Sequence, residues 1–385
     1  MTVVEPRALF IDHAGVLGGA ELSLLDVATA FGARAEVVLL ADGPFRIALE
    51  ARGIAVSVVP LGALQQIKKS TRLPSPAALA DTVRVARQVS KHANTHTVLC
   101  ANSQKAFVVA VAAGLISGRP VVWHLRDILA PPHFSRTNIT AAVTLANLRA
   151  ARIIANSRAT ADAFVAAGGR ESLVRVVHNG IDPAPFDAID NVAAMAVRQQ
   201  LGVPASAYLV AMFGRFHEWK GQQVLLDALA MLPDVHALIV GAPLFGEEVF
   251  ESALKAQASR SGLKGRIHFL GFRPDVPLLM RAANVIVHAS VYPEPFGRVI
   301  VEGMLAGRPV IAARAGGVTE IVADGDTGVL VTPGDASALA QAIDALRTDP
   351  TGAAAMAERG RTHARDQFSL QAMVRGVSDA LVGLD

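Results

Sequence analysis

Short β-branched runs, each followed by a longer amphipathic or alanine-rich stretch, recur along the whole of this chain. In the first half the sequence predicts strands at Ala8–Asp12, Glu36–Leu40, Val56–Val59, Val98–Cys100, Val121–His124, Ile153–Ala155 and Val174–Val177. Helical stretches between them include Ala20–Phe31, Pro76–His92, Ala106–Ile116 and Ser157–Ala167. The scheme then repeats, with strands at Tyr208–Phe213, Ala237–Val240, Ile267–Leu270, Val285–Val287, Val310–Ala313 and Val329–Val331, and helices at Gln222–Leu232, Arg298–Ala306 and Ala336–Leu346. Alternation of this kind demands a mostly parallel sheet covered by helices, because parallel neighbours need a crossover between them. The expected fold class is therefore α/β, twice over. The join is expected at His178-Asn-Gly-Ile-Asp182-Pro183-Ala-Pro185, where the two prolines argue against helix and central strand alike. Two such sheets joined by a stiff hinge would face each other across a cleft, with ligands just beyond the carboxyl ends of strands.

The length of 385 residues and a hydrophobic share of 52% supply ample core for two domains and exclude disorder. The single cysteine, Cys100, excludes an intramolecular disulfide and a Cys-rich zinc site, and fits a reducing cytoplasm. The opening residues do not read as a secretory signal, since Glu5 and Pro6 interrupt them. The longest apolar run, Ala106 to Ile116, is too short to span a bilayer. Net charge is +3, but it is unevenly held. Residues 1–182 carry 19 Lys and Arg against 12 Asp and Glu, a net of +7; the rest carry 17 against 21, a net of −4. A basic half suits an anionic surface or a phosphorylated partner. Nucleic acid is not expected, because zinc spacing, a stacking aromatic set and a dense basic stripe are all missing.

Three loops at predicted strand ends carry chemistry. After the first strand, Gly15-Val-Leu-Gly18-Gly19-Ala-Glu21 opens a helix, where backbone N–H groups can approach an anion; a plain tight turn explains the same glycines. The spacing is not that of a dinucleotide fingerprint. After Tyr208–Phe213 comes Gly214-Arg215-Phe-His-Glu-Trp219-Lys220-Gly221, and a guanidinium fork with an ammonium beside a helix start suits a diphosphate. Solvated surface charge is the bland alternative there. The third loop, Glu294-Pro-Phe-Gly297-Arg-Val-Ile-Val-Glu302, is the most informative. Pro293 and Pro295 hold Glu294 extended, a helix starts near Gly297, and Glu302 lies roughly 7 Å further along at about 1.5 Å per residue. Free N–H groups from Phe296 to Val299 lie between the two acids. Hydroxyls at both ends with phosphates between describe a nucleotide sugar.

On Glu294…Glu302, Gly214-Arg215…Lys220-Gly221 and Gly316-Gly317-Val-Thr-Glu320, the chain resembles the retaining glycosyltransferases of family 4, whose fold, GT-B, pairs two Rossmann-like domains. Gly18-Gly19-Ala-Glu21, Asn156-Ser157 and His178-Asn-Gly-Ile-Asp182 extend the likeness over nearly the whole sequence. The resemblance implies an acceptor-binding domain over 1–182 with a C-terminal helix, about 370–385, packed back on it, and a donor-binding domain over 183–369. It implies that Glu294 contacts the sugar hydroxyls, that amides near Phe296 and Gly297 assist, and that Glu302 holds the ribose. Arg298 and Val299 lie in the same donor-binding turn. Arg215 and Lys220 would neutralise the diphosphate, with Gly18 and Gly19 completing the cradle. His124 would sit beside the reacting sugar and make a hydrogen bond to it; Arg126 and Asp127, just after it, are candidates for the acceptor side. The backbone at Phe272 and Arg273 would meet the base.

The implied reaction moves a sugar from a UDP- or GDP-linked donor to an acceptor hydroxyl on a lipid carrier, glycan or small metabolite, with retention and without metal or other cofactor. A nucleotide-sugar epimerase or phosphorylase on the same fold, a dinucleotide oxidoreductase, and a non-catalytic sugar-nucleotide binder are the alternatives. Asp324-Gly-Asp326 resembles a metal-binding D-x-D motif, but its glycine context reads as a hairpin-type turn. Lys68, Lys69 and Arg72, with Arg84, Arg87 and Lys91 on one helix face, read either as solvated charge or as a contact for an anionic membrane or acceptor. The expected location is the cytoplasm, with peripheral contact at the inner face of the membrane as the sharper version of that expectation.

Overall fold

A computed structural model describes residues 5–62, 76–243, 246–260 and 262–384. The chain divides into two compact units, Met1–Gly180 with Leu370–Asp385, and Ile181–Ser369. In the first, β1 (Ala8–Asp12), β2 (Ala35–Leu39), β3 (Ala55–Val58), β4 (Val98–Ala101), β5 (Val121–Leu125), β6 (Ala150–Ala155) and β7 (Val174–Val176) form one sheet in the order β3-β2-β1-β4-β5-β6-β7. In the second, β8 (Tyr208–Phe213), β9 (Val235–Val240), β10 (Ile267–Gly271), β11 (Val285–His288), β12 (Val310–Ala313) and β13 (Val329–Val331) run β10-β9-β8-β11-β12-β13. Every pairing between these strands is parallel. Both sheets are doubly wound and reverse direction at their first strand, between β1 and β4 and between β8 and β11. Ligands in open α/β sheets bind outside the carboxyl ends of strands at such a point.

The β-branched runs fold as strands because helices cover both faces of each sheet, so β1, β4, β11 and β12 are buried at every residue. In the first unit, one layer gathers Leu9, Ile11, Phe107 and Trp123, whose ring stacks on Phe107 at 4.6 Å. The opposite layer holds Phe10, Val37 and Cys100 together with Met373, Val377 and Leu381 of the helix Leu370–Leu381. That last helix is therefore part of the first unit's core although it lies at the other end of the sequence. Arg152 Nη1 also donates to its Ala380 carbonyl at 2.9 Å.

Some local expectations need correction. Pro183 and Pro185 do not exclude helix: they occupy the start of a short one, Ala184–Asp187, where a missing N–H costs nothing. Asp324-Gly-Asp326 is not part of a hairpin. It joins the short helix Val318–Ile321 to β13, with Asp324 paired to Arg314 and Asp326 to Arg359. β6 starts at Ala150 rather than Ile153, because Ala150 pairs with Val121 across a register shift. Arg84, Arg87 and Lys91 are exposed on the helix Pro76–His92, whereas Lys68, Lys69 and Arg72 lie outside the described residues. Among the described residues no helix is long and apolar enough to cross a membrane.

The helix Arg298–Leu305 lies close on the second sheet through Gly303, where an added Cβ would meet Val310 at 3.0 Å and Ile286 at 3.1 Å. Gly303→Leu should therefore overpack this layer and lower unfolding stability by about 1–3 kcal/mol. Urea denaturation measures the difference, and a wild-type midpoint would contradict the packing.

Candidate functional site

In the second unit, three loops at the carboxyl ends of β8, β11 and β12 converge. The β8 loop leaves through Gly214 and Arg215, turns at Glu218–Lys220 and enters the helix Gln222–Ala230 through Gly221. Gly221 has φ +81°, and a Cβ there would lie 1.9 Å from the Ala289 carbonyl oxygen. Only glycine permits that approach. The Val291 N–H donates to the Trp219 carbonyl at 2.8 Å, so the β8 and β11 loops are tied by backbone as well. Gly316, at φ +66°, lets the β12 loop lie directly on the backbone of Glu294, and the Gly317 N–H donates to the Glu294 carbonyl at 2.8 Å.

This scaffold sets Lys220 against Glu294. Nζ donates to both carboxylate oxygens, at 3.0 and 2.8 Å, while sitting 4.0 Å from the centre of the Trp219 ring. Ser290 Oγ and His288 Nε2 reach the same carboxylate oxygen at 3.0 and 3.2 Å. Burial alone would push the Glu294 pKa up. The Lys220 charge and the His288 hydrogen bond reverse this and hold the carboxyl far below the ordinary carboxylate range. Arg215 lies half-buried in the same loop, its carbonyl accepting from the buried Gln222 side chain at 2.9 Å.

Phe296 is buried edge-on to Phe368 at 5.7 Å, which anchors the turn at Gly297. On the helix that follows, Arg298 Nε donates to Glu302 Oε1 at 2.7 Å, beside a half-buried Val299. Phe272, after β10, is 68% exposed, and the adjacent Arg273 is bound to Asp275 through two nitrogens.

The first unit has its own polar cluster at the β1/β4 reversal. Asp12 ends β1, Asn102 follows β4, and His124 and Arg126 lie at the end of β5; all four are buried, as is Asn179. Arg126 Nε donates to Asn102 Oδ1, whose amide nitrogen donates in turn to Asp12 Oδ2; Arg126 Nη1 donates to Asn179 Oδ1 at 2.9 Å. Arg126 Nη2 lies 3.3 Å from His124 Nδ1. Burial first, then the Arg126 charge, holds the His124 pKa well below its ordinary value, so the ring is neutral. Gly18 precedes the helix Gly19–Phe31 and its N–H donates to Glu21 at 2.9 Å; space beyond the Cα of Gly19 is open. Asp127 is half-buried beside this cluster's sequence neighbours.

The structure thus brings Lys220 into contact with Glu294, Arg298 with Glu302, and His124 with Arg126. Sequence reasoning named these residues but not Asp12, Asn102, His288 or Ser290. Position was the available signal, since each ends a strand or follows one closely at a sheet reversal. Among the described residues no group of three or more His, Cys, Asp or Glu side chains is arranged to hold a metal ion.

Comparisons with known proteins agree with this architecture. Residues 17–185 match the model described as Glycosyltransferase Family 4, and residues 195–363 match Glycosyl transferases group 1. HepE of Anabaena, solved with UDP and glucose and also with UDP-glucose, superposes with a TM-score of 0.90 at 42% identity, over 98% of this chain and 99% of that one. The lipopolysaccharide core biosynthesis glycosyltransferase LpsE of Rhizobium meliloti is 34% identical over 52% of this chain and 55% of its own. The D-inositol 3-phosphate glycosyltransferase of Mycobacterium sp. (strain KMS) is 37% identical over 51% and 44%. The chain thus spans about half the length of these curated relatives. Two doubly wound parallel sheets with polar residues gathered at their reversal points define the GT-B class of glycosyltransferase folds. Within that class the chain belongs to glycosyltransferase family 4.

Two stability predictions follow from the charges. Lys220→Met leaves a buried carboxylate without its cation and should cost roughly 3–5 kcal/mol. A carboxyl with a depressed folded pKa contributes stability above its unfolded value of 4.5 and loses it as pH falls. The acid-unfolding midpoint of the variant, followed by circular dichroism, should therefore move to higher pH than wild type. Glu21 behaves oppositely: burial first, then the Asp12 charge, raises its pKa from 4.5 to about 7. Its contribution is lost as pH rises through that window, so Tm should fall across it in wild type and stay flatter in Glu21→Gln. Parallel pH profiles would contradict this.

Proposed function

We propose that the chain transfers a hexosyl group from a UDP-linked donor to an acceptor hydroxyl, with retention at the anomeric carbon and without a metal ion. The observation that carries this reading is the Lys220–Glu294 pair at the β8/β11 reversal, a cation and a hydroxyl-binding carboxylate locked together where the pyrophosphate and sugar of such a donor would meet. HepE, bound to UDP-glucose and similar over nearly its full length, supports UDP over GDP and glucose as the first sugar to try.

In this reading Lys220 and Arg215 stabilise the departing UDP, and helix-start N–H groups at Phe296 and Gly297 assist them. Fixed cations and amides of this kind supply, without reorganisation, the charge stabilisation that a metal ion gives elsewhere. Glu294 accepts hydrogen bonds from the sugar hydroxyls. It is already bound to Lys220, Ser290 and His288 and is held ionised, which suits positioning better than attack on the anomeric carbon. Retention then arises from acceptor attack on the face the diphosphate leaves. Glu302, held by Arg298, takes the ribose hydroxyls, with Val299 alongside; the backbone at Phe272 and Arg273 meets the uracil. In the first unit the Gly18 N–H is already given to Glu21, so the phosphate-binding role falls to the Gly19 N–H, and His124 is the sugar-binding candidate.

Asp127 is assigned to the acceptor side. Three nitrogens of Arg126 are engaged with Asn102, Asn179 and His124, so this side chain serves the site from within. The acceptor is a lipid carrier, glycan or small metabolite, and the exposed Arg84, Arg87 and Lys91 favour an anionic one or a site peripheral to the inner face of a membrane.

Incubation with UDP-glucose and an acceptor panel, with the anomeric configuration of the product read by NMR, tests the reading. The α-configuration and full activity in EDTA are expected; an inverted product or loss of activity on chelation would refute retention or metal independence respectively. Lys220→Ala and Arg215→Ala should each lower turnover by about a hundredfold or more, the scale of losing one charge-stabilising group. Near-wild-type rates would remove their assigned role.

A further inference from the structure

The buried cluster at the β1/β4 reversal fixes more than the position of His124. The orientation of the Asn102 amide is decided by its neighbours: its nitrogen faces the Asp12 carboxylate and its oxygen faces the Arg126 guanidinium. Reversal would set oxygen against oxygen and N–H against N–H. The Arg126 fork is therefore pinned along one edge by Asn102 and at a second nitrogen by Asn179 Oδ1. Its remaining nitrogen, Nη2, points at His124 Nδ1, 3.3 Å away. A guanidinium can only donate, so Nδ1 must be the accepting nitrogen, and the proton of a neutral ring resides on Nε2. That Nε2 is buried and has no hydrogen-bond partner among the described residues, in a residue only 6% exposed. A buried donor left unmet is costly and calls for a partner, and at a strand end beside a sheet reversal a bound ligand can supply one.

We infer that Arg126, tethered to Asp12 through Asn102, is a positioning residue that selects the Nε2–H tautomer of His124 and so makes that histidine a hydrogen-bond donor to the transferred sugar rather than a base. The sugar half of this assignment rests on the transfer reading above; the tautomer half rests on the geometry of the first unit alone.

Protein labelled with ¹⁵N in its histidine rings separates the two. The chain has 11 histidines, and the His124 signals are assigned by their loss in His124→Asn. Near neutral pH, long-range ¹H–¹⁵N correlations of the wild-type protein without ligand should show His124 as a single neutral Nε2–H tautomer. An Nδ1–H tautomer or an imidazolium there would overturn the inference, whatever the activity. Arg126→Met should give mixed tautomers, and Arg126→Lys, which keeps a donor, should restore the wild-type pattern. An unchanged pattern in a folded Arg126→Met would also overturn it. With UDP-glucose as probe, Arg126→Met should lower kcat about tenfold or more, the scale of one lost hydrogen bond in the transition state, with the Kd for UDP unchanged and kcat largely recovered in Arg126→Lys. A shifted tautomer with wild-type kcat would overturn the sugar half and leave the tautomer assignment standing.

Discussion

Two opposite charges largely shielded from water at the end of a parallel sheet set the terms for the second unit. Lys220 and Glu294 belong to loops that follow different strands, and neither could stay buried and charged without the other. Their meeting requires loops packed at backbone contact, which is why glycines stand at 221 and 316. The Gly316-Gly317 pair thus supports Glu294 through the main chain and need not touch a ligand. The hydrogen bonds from Ser290 and His288 complete the carboxylate's partners, so the pair is rigid before any substrate arrives. Preorganisation of this sort is where catalytic sites gain most, because nothing need be reoriented as charge develops.

The first unit solves the same problem by another route. Its buried cation, Arg126, and its buried anion, Asp12, are joined through the Asn102 amide, whose two ends differ in polarity. An amide relay keeps the charges apart while fixing direction along the chain of bonds, and direction is what determines where the His124 proton resides. Both units place polar groups beside the point where strand order reverses, where the loops from neighbouring strands diverge to opposite faces of the sheet.

Much of this was legible in the sequence. The repeated strand and helix alternation marked both sheets, since β-branched runs buried on two faces have few other solutions. Lys220, Glu294 and Glu302 stood out by their places in loops at strand ends and at a helix start, whereas His124 and Arg298 were named through the family resemblance. The partners did not stand out. Asn102 and Ser290 are common polar residues in loops, and nothing local distinguishes them until β4 and β11 take their places beside β1 and β8. The pairing of Lys220 with Glu294 spans 74 positions, a relation set by tertiary packing alone. The prolines at 183 and 185 misled for a local reason: the rule that bars proline from helix interiors does not apply to the first turn.

The central claim is that the Lys220–Glu294 pair divides its labour, the cation serving the diphosphate and the carboxylate serving the sugar. Isothermal titration of UDP and of UDP-glucose into wild type and Glu294→Gln tests this most directly. The substitution should leave the Kd for UDP within about twofold and weaken UDP-glucose by about tenfold or more, the worth of a charged hydrogen bond. Equal weakening of both ligands, or of neither, would contradict it.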